Sequence, residues 1–76
     1  MNNESLTEVV AKIGEKNYKT EIFARQHIVI GDEPLSIGGE DLGMMPFELL
    51  LGSLGECTAI TLRMYASRKG WDVKNI

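Results

Sequence analysis

The sequence predicts an α+β unit: a small antiparallel β-sheet of about three strands, then one long apolar helix and the start of a further strand. Three observations carry this. Apolar residues alternate with a period of two in the first third of the chain. An apolar run passes from Pro46 through Ala66 without a breaker. The whole chain has 76 residues, and a chain of that size buries only about 60% of the surface its unfolded form exposes. Its own core is therefore thin, residues 1–76 make one domain at most, and the fold is incomplete by itself.

Val9, Ala11 and Ile13 alternate with Glu8, Val10 and Lys12, the pattern of a strand from Thr7 to Ile13. The polar residues 1–6 before it are expected to be disordered. Gly14 to Asn17 form a turn, after which Tyr18, Thr20, Ile22 and Ala24 share one face and Lys19, Glu21, Phe23 and Arg25 the other. This second strand is expected to hairpin with the first. His27 to Ile30 is a third β-rich run, closed by Gly31 and Asp32. If the chain runs through Arg25 and His27 without a bulge, the two project from one face.

From Asp32 to Met45 the chain carries Pro34, Gly38, Gly39 and Gly43 and shows no period. It is a connection longer than most, either lining a site or simply crossing the surface. Pro46 suits the first turn of a helix, Arg68 and Lys69 suit the negative end of its dipole, and Gly70 suits the residue beyond it. Such a helix is roughly 36 Å long. Trp71 to Val73 open another alternating run.

Along the helix, Leu50, Ser53, Leu54, Cys57, Ile60, Thr61 and Met64 make one stripe, while Gly52, Gly55, Ala59, Leu62 and Ala66 make another of mostly small residues. Both stripes call for burial. A second copy packed through the helix, or a separate chain supplying a missing half, would provide it.

Composition narrows the function. The net charge is −3 and the basic residues are scattered, which removes the electrostatic drive for nucleic-acid binding. Glu48, Ser53, Glu56, Thr58 and Thr61 interrupt the apolar run, so it fails as a membrane span. The start resembles no secretory signal, and a cytoplasmic location is expected. One cysteine and one histidine cannot supply the three or four ligands of a zinc site, so neither metal nor cofactor is expected. Gly38 and Gly39 lack the strand-to-helix setting of a phosphate loop.

Cys57 holds most of the functional question. A free cysteine is among the most often buried residue types, so packing is the plain reading and reactivity the rival. Its mid-helix place denies it a helix N-terminus, and activation of the thiol needs a cation from elsewhere. Arg25 is the first candidate and His27 the second, against the plainer readings of a solvated strand residue and a half-buried imidazole. Glu48 lies nine residues before Cys57, about 900° of rotation, and so on the opposite side of a straight helix. It is either a first-turn carboxylate favoured by the dipole or a partner acting through an arginine or across an interface.

Taken together, Arg25 and His27, Asp32-Glu33-Pro34, Gly38-Gly39, Pro46 to Leu51 and Gly55 to Ala59 resemble OsmC-like proteins. Thr61 to Ala66 and Lys69-Gly70-Trp71 extend the resemblance. It implies the amino-terminal half of an OsmC-like fold. The family's osmotically induced and organic-hydroperoxide-resistance members are thiol peroxidases, intertwined homodimers with their long helices buried at the centre. By resemblance, Cys57 corresponds to the peroxidatic cysteine, Arg25 to its activating arginine and Glu48 to the carboxylate that holds the arginine. In the peroxidases that acid directly follows the proline, whereas here Phe47 stands between Pro46 and Glu48. Family members also continue into a strand-rich half with a resolving cysteine, and this sequence has Cys57 alone.

The expected function is cysteine-based reduction of organic hydroperoxides with an external thiol as reductant. Two rivals stand beside it: a non-catalytic assembly module, and a binder of small apolar ligands.

Overall fold

The computed structural model describes residues 8–76, so the expectation for residues 1–6 lies outside the described part. The chain divides into two compact units, Met1–Pro46 and Phe47–Ile76.

The first unit is built on a three-stranded antiparallel meander, β1 (Val9–Ile13), β2 (Thr20–Ala24) and β3 (His27–Gly31), in the order β1-β2-β3. Its register sets Ala11 opposite Ile22 and Ile22 opposite Val29, with Val10, Phe23 and Ile28 as the adjacent row. Opposed residues share a face, so Val9, Ala11 and Ile13 lie on the same side as Thr20, Ile22 and Ala24, the two sets that alternation marks in the sequence. Half-burial runs the whole length of β2, whereas in β3 it is reached only at Ile30, before the buried Gly31. β1 is exposed throughout, because only the central strand is shielded by a neighbour along both edges.

The second strand ends at Ala24, one residue before the alternation suggests. Arg25 and Gln26 are the two central residues of the β2–β3 connection, and Arg25 has a φ of +56°. A two-residue hairpin needs positive φ to match the twist of its strands, and here arginine supplies it. A non-glycine residue in that region costs about 1–2 kcal/mol. Arg25 and His27 therefore do not lie along one strand, and their shared face is lost.

Residues 32–45 lack a sequence period because one carboxylate organises them. Asp32 is 3% exposed. Its Oδ1 accepts the backbone N–H of Glu33 at 2.7 Å, and its Oδ2 accepts those of Glu40 at 3.3 Å and Leu42 at 3.2 Å. Its own N–H donates to the Met44 carbonyl at 3.1 Å, extending a parallel bridge between Gly31 and Met44. The loop thus leaves and re-enters beside the end of β3. A short 3-10 turn, Leu35–Ile37, fills its first half. Gly39 passes so close that a Cβ there would lie 2.0 Å from the Glu33 carbonyl oxygen, a contact only glycine permits. Burial opposes ionisation of Asp32, but the N–H groups of Glu33, Leu42 and Glu40, aided by the charge of Lys19, outweigh it and hold the carboxyl below its ordinary value.

Helix α1 runs from Pro46 to Lys69, with Glu48 in its first turn and Arg68 and Lys69 in its last, the bounds that the proline and glycine signals give. It ends in a Schellman motif. Gly70, at φ +76°, donates its N–H to the Ser67 carbonyl at 3.1 Å, and Trp71 donates to Ala66 at 2.9 Å. The Trp71 ring meets Tyr65 edge-on at 5.6 Å between centroids, and Lys69 Nζ lies 5.5 Å from the Tyr65 ring centroid on its other contact. The Arg63 guanidinium donates to the Val73 carbonyl. These contacts spend the residues that alternation marks as a strand on closing the helix, and residues 71–76 form no strand.

Two outcomes follow from this local geometry. Replacing Arg25 by glycine relieves the left-handed strain at some entropic cost, so Arg25→Gly raises unfolding stability by roughly 0.5–1 kcal/mol in urea titration. For Asp32 the folded carboxyl lies below its ordinary 3.8, so its contribution is complete above pH 3.8 and fades as pH falls through the lower folded value. Urea midpoints of the native chain and Asp32→Asn therefore differ at neutral pH and converge below pH 3.8; a constant gap across that range contradicts the account.

Candidate functional site

The three residues singled out by sequence divide between the units. Arg25 belongs to the first, at the exposed tip of the β2–β3 hairpin. Glu48 and Cys57 belong to the second, both on exposed turns of α1. His27 opens β3, exposed and opposite Ala24.

Cys57 stands near the middle of α1, between Pro46 and Lys69. Its thiol is free and exposed rather than packed, which removes the plain reading of a core cysteine within this chain. Thr58, Thr61 and Leu62 share a shallow open depression with it. The Thr58 hydroxyl donates to the Leu54 carbonyl at 3.1 Å, and the Ser53 hydroxyl to Leu50 at 2.7 Å, so both protons are spent on the helix backbone. The depression offers a visitor a sulfur, two threonine methyl groups, a leucine and the hydroxyl of Thr61.

Mid-helix placement also fixes what α1 cannot provide. Backbone N–H groups there are engaged in the helical ladder, so no orphan amide is available to a thiolate. Arg63, the nearest basic residue along the helix, is six positions on and donates to Val73. Glu48 is nine positions back, about 13 Å along the axis and on the far side of a straight helix. Within α1 the sulfur thus has access but no built-in activator.

A second concavity, about 230 Å³, lies in the first unit between Lys16, Asn17, Tyr18, Asp32 and the 38–40 segment. Most of its polar groups are already used. Asn17 Nδ2 donates to the Gly38 carbonyl at 3.3 Å, Lys16 pairs with Glu40 at 3.8 Å, and the Asp32 oxygens take three amides. It is a seam that pins the loop to the β1–β2 turn. Asp32 is the residue whose importance sequence reasoning missed. An aspartate directly after a strand, before a proline and a glycine-rich stretch, is the available signal, since aspartate side chains accept nearby backbone N–H groups in turns.

Among the described residues, no group of three His, Cys, Asp or Glu side chains is placed to hold a metal ion, and no helix is long and apolar enough to cross a membrane.

Comparison with known proteins gives one finding. Residues 38–76, just over half of the chain, match the family described as OsmC-like protein. No curated protein and no solved structure matches. The matched segment contains Glu48, Cys57 and all of α1, and leaves Arg25 outside it. A three-stranded antiparallel sheet followed by a single long helix with an exposed mid-helix thiol, joined to that match, makes this chain a member of the OsmC-like family.

Proposed function

We propose that Cys57 reduces organic hydroperoxides in oxidative-stress defence. The observation that carries this reading is an accessible thiol in the middle of α1, inside the segment matched to the family.

The chemistry needs the thiolate. Its sulfur attacks the terminal oxygen of the hydroperoxide, an S–O bond forms, the O–O bond breaks, and the alkoxide leaves and takes up a proton as the alcohol. Sulfur is oxidised by two electrons to a sulfenic acid, and the peroxide is reduced. Cys57 is the one cysteine in the sequence, so the return step uses external thiol: one equivalent forms a mixed disulfide with loss of water, and a second releases Cys57 as thiolate. Arg25 is the proposed activating cation, with Glu48 the carboxylate that orients it. Strain at Arg25 supports its part, since an arginine held at positive φ is an outlier of the kind that clusters at functional sites. Association of two copies through α1, in the cytoplasm, belongs to the same reading.

One observation favours a second reading. Leu50, Leu54 and Met64 are 52%, 57% and 62% exposed, and Phe47, Leu51 and Leu62 are exposed beside them. An apolar helix left open to this degree is also what a non-catalytic assembly module presents.

Treatment of the chain with cumene hydroperoxide is expected to produce a dimedone-trapped sulfenic acid at Cys57, and Cys57→Ser is expected to consume no peroxide. Equal consumption by the two proteins rejects the enzymatic reading and leaves the assembly module. A charge-assisted hydrogen bond contributes about 1.5–3 kcal/mol, so Arg25→Ala should slow sulfenic acid formation roughly ten- to a hundredfold, with Arg25→Lys falling between. An unchanged rate in Arg25→Ala removes Arg25 from the mechanism while leaving Cys57 in it.

A further inference from the structure

Ser53, Thr58 and Thr61 carry hydroxyl groups on the turns of α1 around Cys57, and two of the three are committed. Ser53 and Thr58 donate to the Leu50 and Leu54 carbonyls, the usual fate of a hydroxyl inside a helix. Thr61 departs from this pattern: its hydroxyl has no partner among the described residues. Its place makes the departure matter. Thr61 follows Cys57 by four residues, a spacing at which helical side chains are neighbours with Cβ atoms about 5–6 Å apart. Helical side chains also lean toward the N-terminus, so Thr61 covers the turn that carries the thiol. Both line the same open depression, with Thr58 and Leu62 beside them. Thr61 is the one uncommitted hydroxyl there.

We propose that the Thr61 hydroxyl donates a hydrogen bond to the leaving oxygen of a hydroperoxide under attack by Cys57. The proposal rests on the reading of Cys57 as a hydroperoxide reductant and assigns the neighbouring residue a task in that reaction. As the thiolate forms its S–O bond and the O–O bond breaks, the electron pair of the broken bond collects on the oxygen that keeps the carbon chain. A donor aimed at that oxygen is worth more in the transition state than in the bound peroxide, where the charge is absent. Threonine suits the task because its hydroxyl donates without ionising. It keeps its proton, and the alkoxide takes one from solvent to leave as the alcohol. The helix backbone offers no substitute, since its N–H groups at mid-helix are engaged in the ladder. Water can donate in place of Thr61 at so open a site, so the effect of losing the hydroxyl is a few-fold rather than a thousandfold.

The test varies the leaving group. Thr61→Val keeps the shape and the β-branch and removes only the donor, while Thr61→Ser keeps the donor. In single-turnover formation of sulfenic acid at Cys57, Thr61→Val is expected to be roughly three- to tenfold slower than the native chain with cumene hydroperoxide, whose alkoxide is strongly basic. With peracetic acid, whose leaving carboxylate is already stable, the two chains should react at equal rates. Thr61→Ser should recover most of the loss. Alkylation of Cys57 by iodoacetamide reports the thiolate alone, because iodide needs no donor to depart, and its rate against pH should be the same in the native chain and Thr61→Val. Equal slowing with both oxidants, no slowing with either, or a parallel loss of alkylation overturns the role given to Thr61 and leaves Cys57 as the reductant. If the native chain forms no sulfenic acid with either oxidant, the reading of Cys57 itself fails, and the role of Thr61 falls with it.

Discussion

Backbone hydrogen bonding, not burial, is what holds the described part of this chain in place. Ala66 is the one buried hydrophobic residue among the described residues, and Asp32 the one buried charged residue. With so little core, each element must close its own polar accounts, because unpaired backbone groups are costly wherever water is excluded. The sheet does so through two antiparallel ladders, the 32–45 loop through the Asp32 carboxylate, and α1 through its Schellman cap. Each device lies within one of the two units of the chain.

The same economy leaves apolar surface open. β1, β3 and most of α1 expose valine, isoleucine, leucine and methionine that a larger domain would cover. An isolated sheet of three short strands or a single helix gains little stability from propensity alone, since tertiary packing of an apolar face supplies most of it. The exposed surface and the accessible sulfur are therefore linked, since Cys57 lies on the same open helix as the exposed leucines and Met64. Helix α1 carries that sulfur at its middle.

Arg25 shows how fold and chemistry compete at one residue. Placed in a turn that glycine or asparagine would occupy more cheaply, it accepts left-handed backbone strain. In exchange, its guanidinium sits at a hairpin tip rather than along a strand face. A tip residue can be presented to another surface, whereas a strand residue is fixed by the pleat. This is the opposite of Asp32, whose short side chain is consumed inward and whose value is entirely in the loop it closes.

Sequence alone determined the elements whose signals are local. The period-two runs around Ala11 and Ile22, the proline and glycine that bound α1, and the solitary thiol on an apolar helix are all consequences of neighbouring residues, and each is where the pattern places it. Tertiary structure decided what depends on contacts distant along the chain. Asp32 organises the loop by reaching Glu40 and Leu42, eight and ten residues on, which no periodicity encodes. Arg25 turns out to be a corner because β3 must return beside β2, and Trp71 is drawn into the helix cap because Ala66 has a carbonyl to satisfy. Periodicity reports which face a residue occupies, but it carries no information about which distant backbone group needs a partner.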